Sequence, residues 1–235
     1  MVELRGKVAI VTGSTRGIGR AIAESLWRAG ASVVVSGRTA ATAEALAAKW
    51  GPRALAVACD VREPAACARL VERAVGHFGG LDILVNNAGI GVFAPVRELT
   101  PELWRAVIAT NLDSLFYCCH AALPALMARG ESWIINIGSL AGRNWFPKGG
   151  AYCASKAGLN AFTEALMQEV RYDNIRVSEV MPGSVDTAFG GSRSAPSEWK
   201  LAPEDVAQVV VDLIAHDSRS LPSRVEMRPS RPPRK

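Results

Sequence analysis

The 235-residue sequence is defined first by what is missing from it. It has no apolar run near the roughly 18 to 20 residues that cross a bilayer. Its N-terminus, Met1-Val-Glu-Leu-Arg-Gly-Lys7, carries neither an apolar signal core nor an Arg/Ser-rich transit stretch. The five cysteines (Cys59, Cys67, Cys118, Cys119 and Cys153) are odd in number and show no C-x-x-C spacing, which argues against a disulfide framework and for a reduced, cytoplasmic setting. The three histidines stand far apart, and none forms a metal-ligand pair with a cysteine, so no metal is expected. No Ser/Gly-rich linker interrupts the pattern, which predicts one domain over residues 1–227 followed by a basic, Pro/Arg-rich tail over 228–235. That tail explains the net charge of +5: residues 219–235 hold five Arg and one Lys against one Glu, leaving 21 basic and 21 acidic residues before them. A neutral body with a solvated tail predicts neither a nucleic-acid nor a membrane partner.

What is present is an alternation of short β-branched runs with longer helical ones. Lys7–Thr12, Ala31–Ser36, Ala54–Ala58, Leu81–Val85, Trp133–Ile137, Arg176–Val180 and Val225–Met227 read as strands. Helices are predicted over Gly17–Ala29, Ala40–Trp50, 63–78, 101–128, 151–172 and 203–215. Continuously apolar strands separated by helices predict an α/β fold, a doubly wound parallel sheet of Rossmann type with about seven strands. Ligands of such sheets bind beyond the carboxyl ends of the strands. Gly13, Asp60, Asn86–Gly89, Ser139 and Pro182–Gly183 each follow a strand and should gather along that edge.

The first strand runs into Gly13-Ser14-Thr15-Arg16-Gly17-Ile18-Gly19 at a helix start. Glycines there let the backbone approach a pyrophosphate, which the helix N-terminus favours. The spacing G-x-x-x-G-x-G differs from the commoner dinucleotide fingerprint. A carboxylate about 20 residues on would select NAD. Instead no acid occurs between Glu24 and Glu44, and the second strand ends Ser36-Gly37-Arg38-Thr39. Arg16 and Arg38 suit the 2′-phosphate of NADP(H), with Gly37 leaving room for it.

Tyr152 and Lys156 stand four apart on one helix face. A nearby ammonium would stabilise the tyrosinate and bring the hydroxyl toward a useful pKa. Ser139 closes a strand at the ligand edge, where its hydroxyl can hydrogen-bond a carbonyl oxygen. Asn111 is a polar residue in an apolar helical run and requires a partner.

With these motifs the chain resembles the short-chain dehydrogenase/reductase family from residue 6 to about 227, in particular its NADP(H)-preferring, 3-oxoacyl-carrier-protein-reductase-like members. The shared motifs are the glycine turn, Asp60-Val61, Asn86-Asn87-Ala88-Gly89, Asn111, Ser139, Tyr152 with Lys156, and Pro182-Gly183-Ser-Val185-Asp-Thr187. The resemblance implies a catalytic tetrad of Asn111, Ser139, Tyr152 and Lys156, with Asn111 holding a water that links Lys156 to solvent. It further implies adenine contact at Asp60, adenosine contact at Asn87–Gly89 and nicotinamide contact at Val185 and Thr187. The expected activity is NADPH-dependent interconversion of a small-molecule ketone or aldehyde with its alcohol. A 3-oxoacyl-thioester reductase and a non-catalytic NADP(H)-binding regulator are the alternatives. Two departures stand out: Gly138 where many relatives have serine, and Pro222–Pro229 in place of a glycine-rich closing segment.

Phe93, Trp145, Phe146, Phe189 and Trp199 are available to line an apolar substrate pocket, under a flap between Thr187 and Pro203. Arg129 and Arg171 read as solvated charges that would also allow an acidic carrier protein to dock. Leu112, Leu115, Phe116, Leu159, Phe162 and Leu166 make two helices unusually apolar, which with the resemblance predicts a homo-oligomer, a tetramer or a dimer.

Overall fold

A computed structural model describes residues 3–190 and 197–233. Seven strands form one parallel sheet: β1 (Val8–Val11), β2 (Ser32–Gly37), β3 (Ala54–Ala58), β4 (Ile83–Asn86), β5 (Ser132–Ile137), β6 (Ile175–Pro182) and β7 (Arg224–Met227). Their order is β3-β2-β1-β4-β5-β6-β7. The chain therefore works outward from β1 to one edge and then returns to build the other half. The crevice between the carboxyl ends of β1 and β4 is the point where ligands of such sheets bind.

The strands lack a polar face because both faces are covered. Ala9, Val11, Ile83, Val85 and Ile135 point into a core shared with helices α1 (Gly17–Arg28), α2 (Ala40–Trp50) and α7 (Pro203–Ala215). Their neighbours Val8, Ile10, Leu84 and Ile134 enter a second core under α3 (Pro64–Phe78), α5 (Ser114–Met127) and α6 (Gly150–Val170). Each fully buried Ile or Leu contributes about 1.5 to 3 kcal/mol.

The expected helix over 101–128 is where local structure departs from the sequence reading. α4 (Pro101–Ile108) gives way to a π-helical segment, Ala109–Asp113, before α5 begins. The Thr110 hydroxyl donates to the Ala106 carbonyl (2.7 Å) and Ser114 to that of Thr110 (2.6 Å). Such back-bonding loosens the main-chain ladder. The whole stretch Pro101–Met127 is long and apolar enough to cross a bilayer, contrary to the sequence reading, yet α5 lays Leu115, Cys118, Cys119 and Leu126 into the second core.

All five cysteines are buried free thiols, and the described residues include no cluster of three metal-ligating side chains. Of the apolar helix residues, Leu115, Leu159 and Leu166 are core, while Phe116 is exposed and borders a shallow groove with Leu112 and Phe162.

Candidate active site

The predicted gathering of motifs occurs. Thr12, at the end of β1, accepts hydrogen bonds at its hydroxyl from the backbone of Asn87 (2.9 Å) and Ala88 (3.0 Å). The Asn87 amide donates back to the Thr12 carbonyl (2.8 Å). The β1 turn and the Asn87–Gly89 loop are thereby laced together. Gly19 permits this approach, since a Cβ there would lie 2.3 Å from Asn87 Nδ2 and 2.5 Å from the Gly13 carbonyl. Gly13 and Gly17 adopt φ of +65° and +54°, the left-handed region that glycine tolerates. Buried Ser14 pins the turn to β2, its hydroxyl accepting from the Ser36 backbone at 2.8 Å. Ile18 packs against the first core.

The start of α1 carries no side-chain cap, and no acid stands in its first turn. Its amides are therefore free to take an anion. Arg16 and Arg38 are both exposed, and Thr39 follows at the start of α2. Gly37 also lies against the glycine turn. A Cβ there would sit 2.9 Å from Thr15 Cγ2, so the glycine makes room for the turn.

Asp60 is bound by Arg62, whose Nε lies 2.9 Å from Oδ1. That bond, helped by Arg38, holds the Asp60 carboxyl below the usual carboxylate range. The sequence reading missed Arg62, the residue directly after the motif, while Val61 is buried in the second core. Pro182 ends β6, and Gly183 donates to the Met227 carbonyl (2.8 Å). Val185 bridges to Leu201, and the Thr187 methyl lies 3.4 Å from where a Gly17 Cβ would be. This segment thus returns to the glycine turn.

The proposed tetrad converges from three elements. Ser139 follows β5 and caps a short turn through the Ala141 amide (3.1 Å). Tyr152 and Lys156 project from the first two turns of α6 and are both buried. Burial holds the Tyr152 hydroxyl above the ordinary tyrosine value, while a hydrogen bond with Ser139 pulls it down. Lys156 was expected to provide that downward pull. Its ammonium instead donates to the Ile137 carbonyl at 2.7 Å, and burial pushes its pKa down to about 8.

Asn111 lies in the π-helical segment and is buried. Its side chain clamps Ile90, accepting from the amide (2.8 Å) and donating to the carbonyl (2.9 Å). Its second amide hydrogen goes to Ser155 (3.0 Å). With both hydrogens committed to protein, the side chain has none left to donate to the expected water.

Two phenylalanines pack against Tyr152, and a third packs against one of them. The rings of Phe93 and Phe189 each lie 5.6 Å from it, and Phe146 lies 5.9 Å from Phe93. Trp145 is exposed, and Trp199 stands beside Lys200. The central part of the expected flap, 191–196, and tail residues 234–235 lie outside the described residues. Arg129 and Arg171 are both exposed, and the Arg129 guanidinium also pairs with buried Asp82 (Nε to Oδ1, 3.0 Å).

Comparison with known proteins agrees with this geometry. Residues 7–198 match the short chain dehydrogenase family. An uncharacterised oxidoreductase of Staphylococcus saprophyticus is 35% identical over 97% of this chain and all of that protein. The 3-oxoacyl-[acyl-carrier-protein] reductase FabG of Haemophilus influenzae is 40% identical over 78% of this chain and 76% of its own. The alcohol dehydrogenase of Thermococcus sibiricus complexed with 5-hydroxy-NADP superposes with a TM-score of 0.90 at 28% identity, over 97% and 99% of the two chains. A metagenomic short-chain oxidoreductase in complex with NADP gives 0.84 at 38%, with the same coverage. This chain belongs to the short-chain dehydrogenase/reductase family, and it is an oxidoreductase.

Proposed function

We propose that this protein reduces a ketone or aldehyde to an alcohol with NADPH, Tyr152 protonating the carbonyl oxygen. The observation that carries the reading is the placement of Tyr152, Ser139 and Lys156 at the strand edge that also bears the uncapped start of α1. The residues fit the cofactor. The Ser14–Gly19 backbone can hold the pyrophosphate, and Arg16 with Arg38 can hold a 2′-phosphate. NADPH, when bound, supplies the hydride to the carbonyl carbon and leaves as NADP⁺. The C=O π electrons pass to oxygen, which takes the proton from Tyr152, and solvent restores that proton. Ser139 orients the oxygen, and Lys156 keeps positive charge near the phenol. NADP compounds bound to two similarly folded relatives support the cofactor.

The Haemophilus relative favours a second reading, reduction of 3-oxoacyl thioesters. Against it, the Arg129–Asp82 pair removes one of the two cations considered for carrier-protein docking. NADPH consumption over ketones, aldehydes, quinones and 3-oxoacyl thioesters is the test. Tight NADPH binding without turnover on any of them would instead make the protein a regulator. We also infer self-association through the face of Leu112, Phe116 and Phe162, checked by light scattering against the 25.0 kDa monomer.

A further inference from the structure

We propose that the substrate of this site is an aryl ketone, bound with its ring between Phe93 and Phe189. The proposal rests on the reading of Tyr152 as proton donor. Phe93 meets Tyr152 edge-on at 74° and Phe189 meets it at 57°, so both rings pack against the tyrosine. Tyr152 is only 9% exposed, whereas Phe93, Phe146 and Phe189 are 43 to 45% exposed. A substrate approaching Tyr152 meets these more exposed rings first. Gly91 leaves the space in which they sit, since a Cβ there would lie 2.6 Å from Phe189 and 2.9 Å from Phe93. An aromatic ring restores edge-to-face geometry with the phenylalanines, which a saturated group of the same size does not. The rings that flank Tyr152 offer no charge of their own to a substrate carboxylate or phosphate.

The test compares acetophenone, cyclohexyl methyl ketone and pyruvate with NADPH. Conjugation makes acetophenone the less electrophilic of the two larger ketones, so a preference for it reports the site rather than intrinsic reactivity. We expect kcat/KM for acetophenone to exceed that for the cyclohexyl ketone at least tenfold, mainly through KM, with pyruvate lowest. Phe93→Leu and Phe189→Leu should each bring the ratio toward one. Turnover of ketones with an equal or reversed ratio overturns the aryl proposal alone. Absence of turnover on any carbonyl overturns the reading of Tyr152 and this proposal with it.

A separate observation lies beneath the tetrad. Glu179 interrupts the apolar run of β6 and is 1% exposed. Its Oε1 occupies the space that a Gly138 side chain would fill, 2.2 Å from an added Cβ, which accounts for the glycine at that departure from the family. Gly138 directly follows Ile137, whose carbonyl receives the Lys156 ammonium. With its nitrogen turned toward acceptors, the Asn160 amide joins Glu179 Oε1 (2.5 Å) to the Lys156 carbonyl (2.7 Å). Oε2 makes no hydrogen bond and lies 3.4 Å from Arg224 Nε. The structure assigns Glu179 a positioning role, its carboxylate lying beside Gly138 and tied through Asn160 to the backbone of Lys156, whose ammonium sits on the Ile137 carbonyl. Burial raises the Glu179 pKa, opposed by Arg224, Lys156 and Arg143; Glu164, 3.7 Å from Arg224, completes the charged surroundings. Glu179 in turn raises that of Lys156 against the downward effect of burial.

The test is the pH profile of kcat/KM for Glu179→Gln. The alkaline loss of activity should move at least half a pH unit lower, and Glu179→Asp should recover part of the shift. Gly138→Ala, which pushes the carboxylate aside, should move the profile the same way and serves if the Gln variant does not fold. A profile that keeps its midpoint, whether or not the rate falls, overturns the assignment.

Discussion

The two ends of the sheet's strands handle their buried titratable groups in opposite ways. At the amino end, buried Asp82 accepts from the Val8 amide (2.8 Å) and from Arg129 through both oxygens (3.0 and 3.2 Å), with Lys7 at 3.4 Å. Beside it Arg176 pairs with Glu131, and the Lys7 and Arg176 cations flank the Trp133 ring at 5.0 and 4.7 Å. The Asp82 carboxylate there is fully matched. At the carboxyl end, Tyr152, Lys156 and Glu179 are all pushed toward their neutral forms by burial. Groups held away from their ordinary charge states carry free energy that chemistry can use, and fully matched ones fix the fold. Such separation is expected of a parallel α/β sheet that works at one edge only.

The sharpest way to break this division is one substitution at each end. Tyr152→Phe should lower kcat by about 10² to 10⁴-fold, the worth of general acid catalysis, while leaving NADPH affinity and melting temperature nearly unchanged. Arg129→Ala should do the reverse. It leaves Asp82 short of its main partner, which costs about 3 kcal/mol, the low end for a broken buried pair because Lys7 remains near. The melting temperature should fall by roughly 6 to 12 °C for a chain of this size, with kcat/KM of the folded fraction retained. A kinetic defect in Arg129→Ala, or a large thermal one in Tyr152→Phe, would show that the two ends are coupled.

How far the sequence foretold this follows from the range of the interactions. Each strand was readable because both faces of a buried parallel strand are apolar, and the glycine turn because its backbone needs are local. The clamp that Asn111 makes from the π-helical break was not, since it reaches Ile90, 21 residues away. The pairing of exposed Arg129 was not legible either, because its partner Asp82 lies 47 residues off. Glu179 left a trace, one acid inside Val177-Ser-Glu-Val-Met181, but its meaning required Gly138 and Lys156 in space. The contact of Gly37 with Thr15 was not legible either, since it needs the turn folded onto β2.

Two smaller effects belong to the carboxyl end alone. Arg38→Ala should cost roughly ten- to a hundredfold in kcat/KM with NADPH and little with NADH, since it deletes a charge-assisted contact worth about 1.5 to 3 kcal/mol. Equal loss with both cofactors would place Arg38 elsewhere than at the 2′-phosphate. The Lys156 ammonium, with its pKa near 8, is present below that pH and lost above it. Activity should accordingly fall on the alkaline side with a midpoint near 8, by up to tenfold per pH unit. A flat profile to pH 10 would mean that neutral Lys156 suffices.

The smallest expected effect tests whether backbone strain follows the same division. Two described non-glycine residues have positive φ, one at each end of the strands. Asn174 (φ +57°) precedes β6 at the amino end, and asparagine tolerates that conformation. Lys148 (φ +68°) lies between Ser139 and α6 at the carboxyl end, where its carbonyl accepts from the Ala94 amide at 2.9 Å. Lysine has no side-chain means of easing that conformation, which costs roughly 1 to 2 kcal/mol. Glycine removes the clash but loses about 0.5 to 1 kcal/mol to its greater freedom when unfolded. Lys148→Gly should therefore gain about 0.5 to 1 kcal/mol, a rise of roughly 1 to 4 °C in melting temperature. Asn174→Gly should change it by less than that. If Asn174→Gly stabilises as much as Lys148→Gly, the strain is a property of tight turns in this chain and not of its working edge.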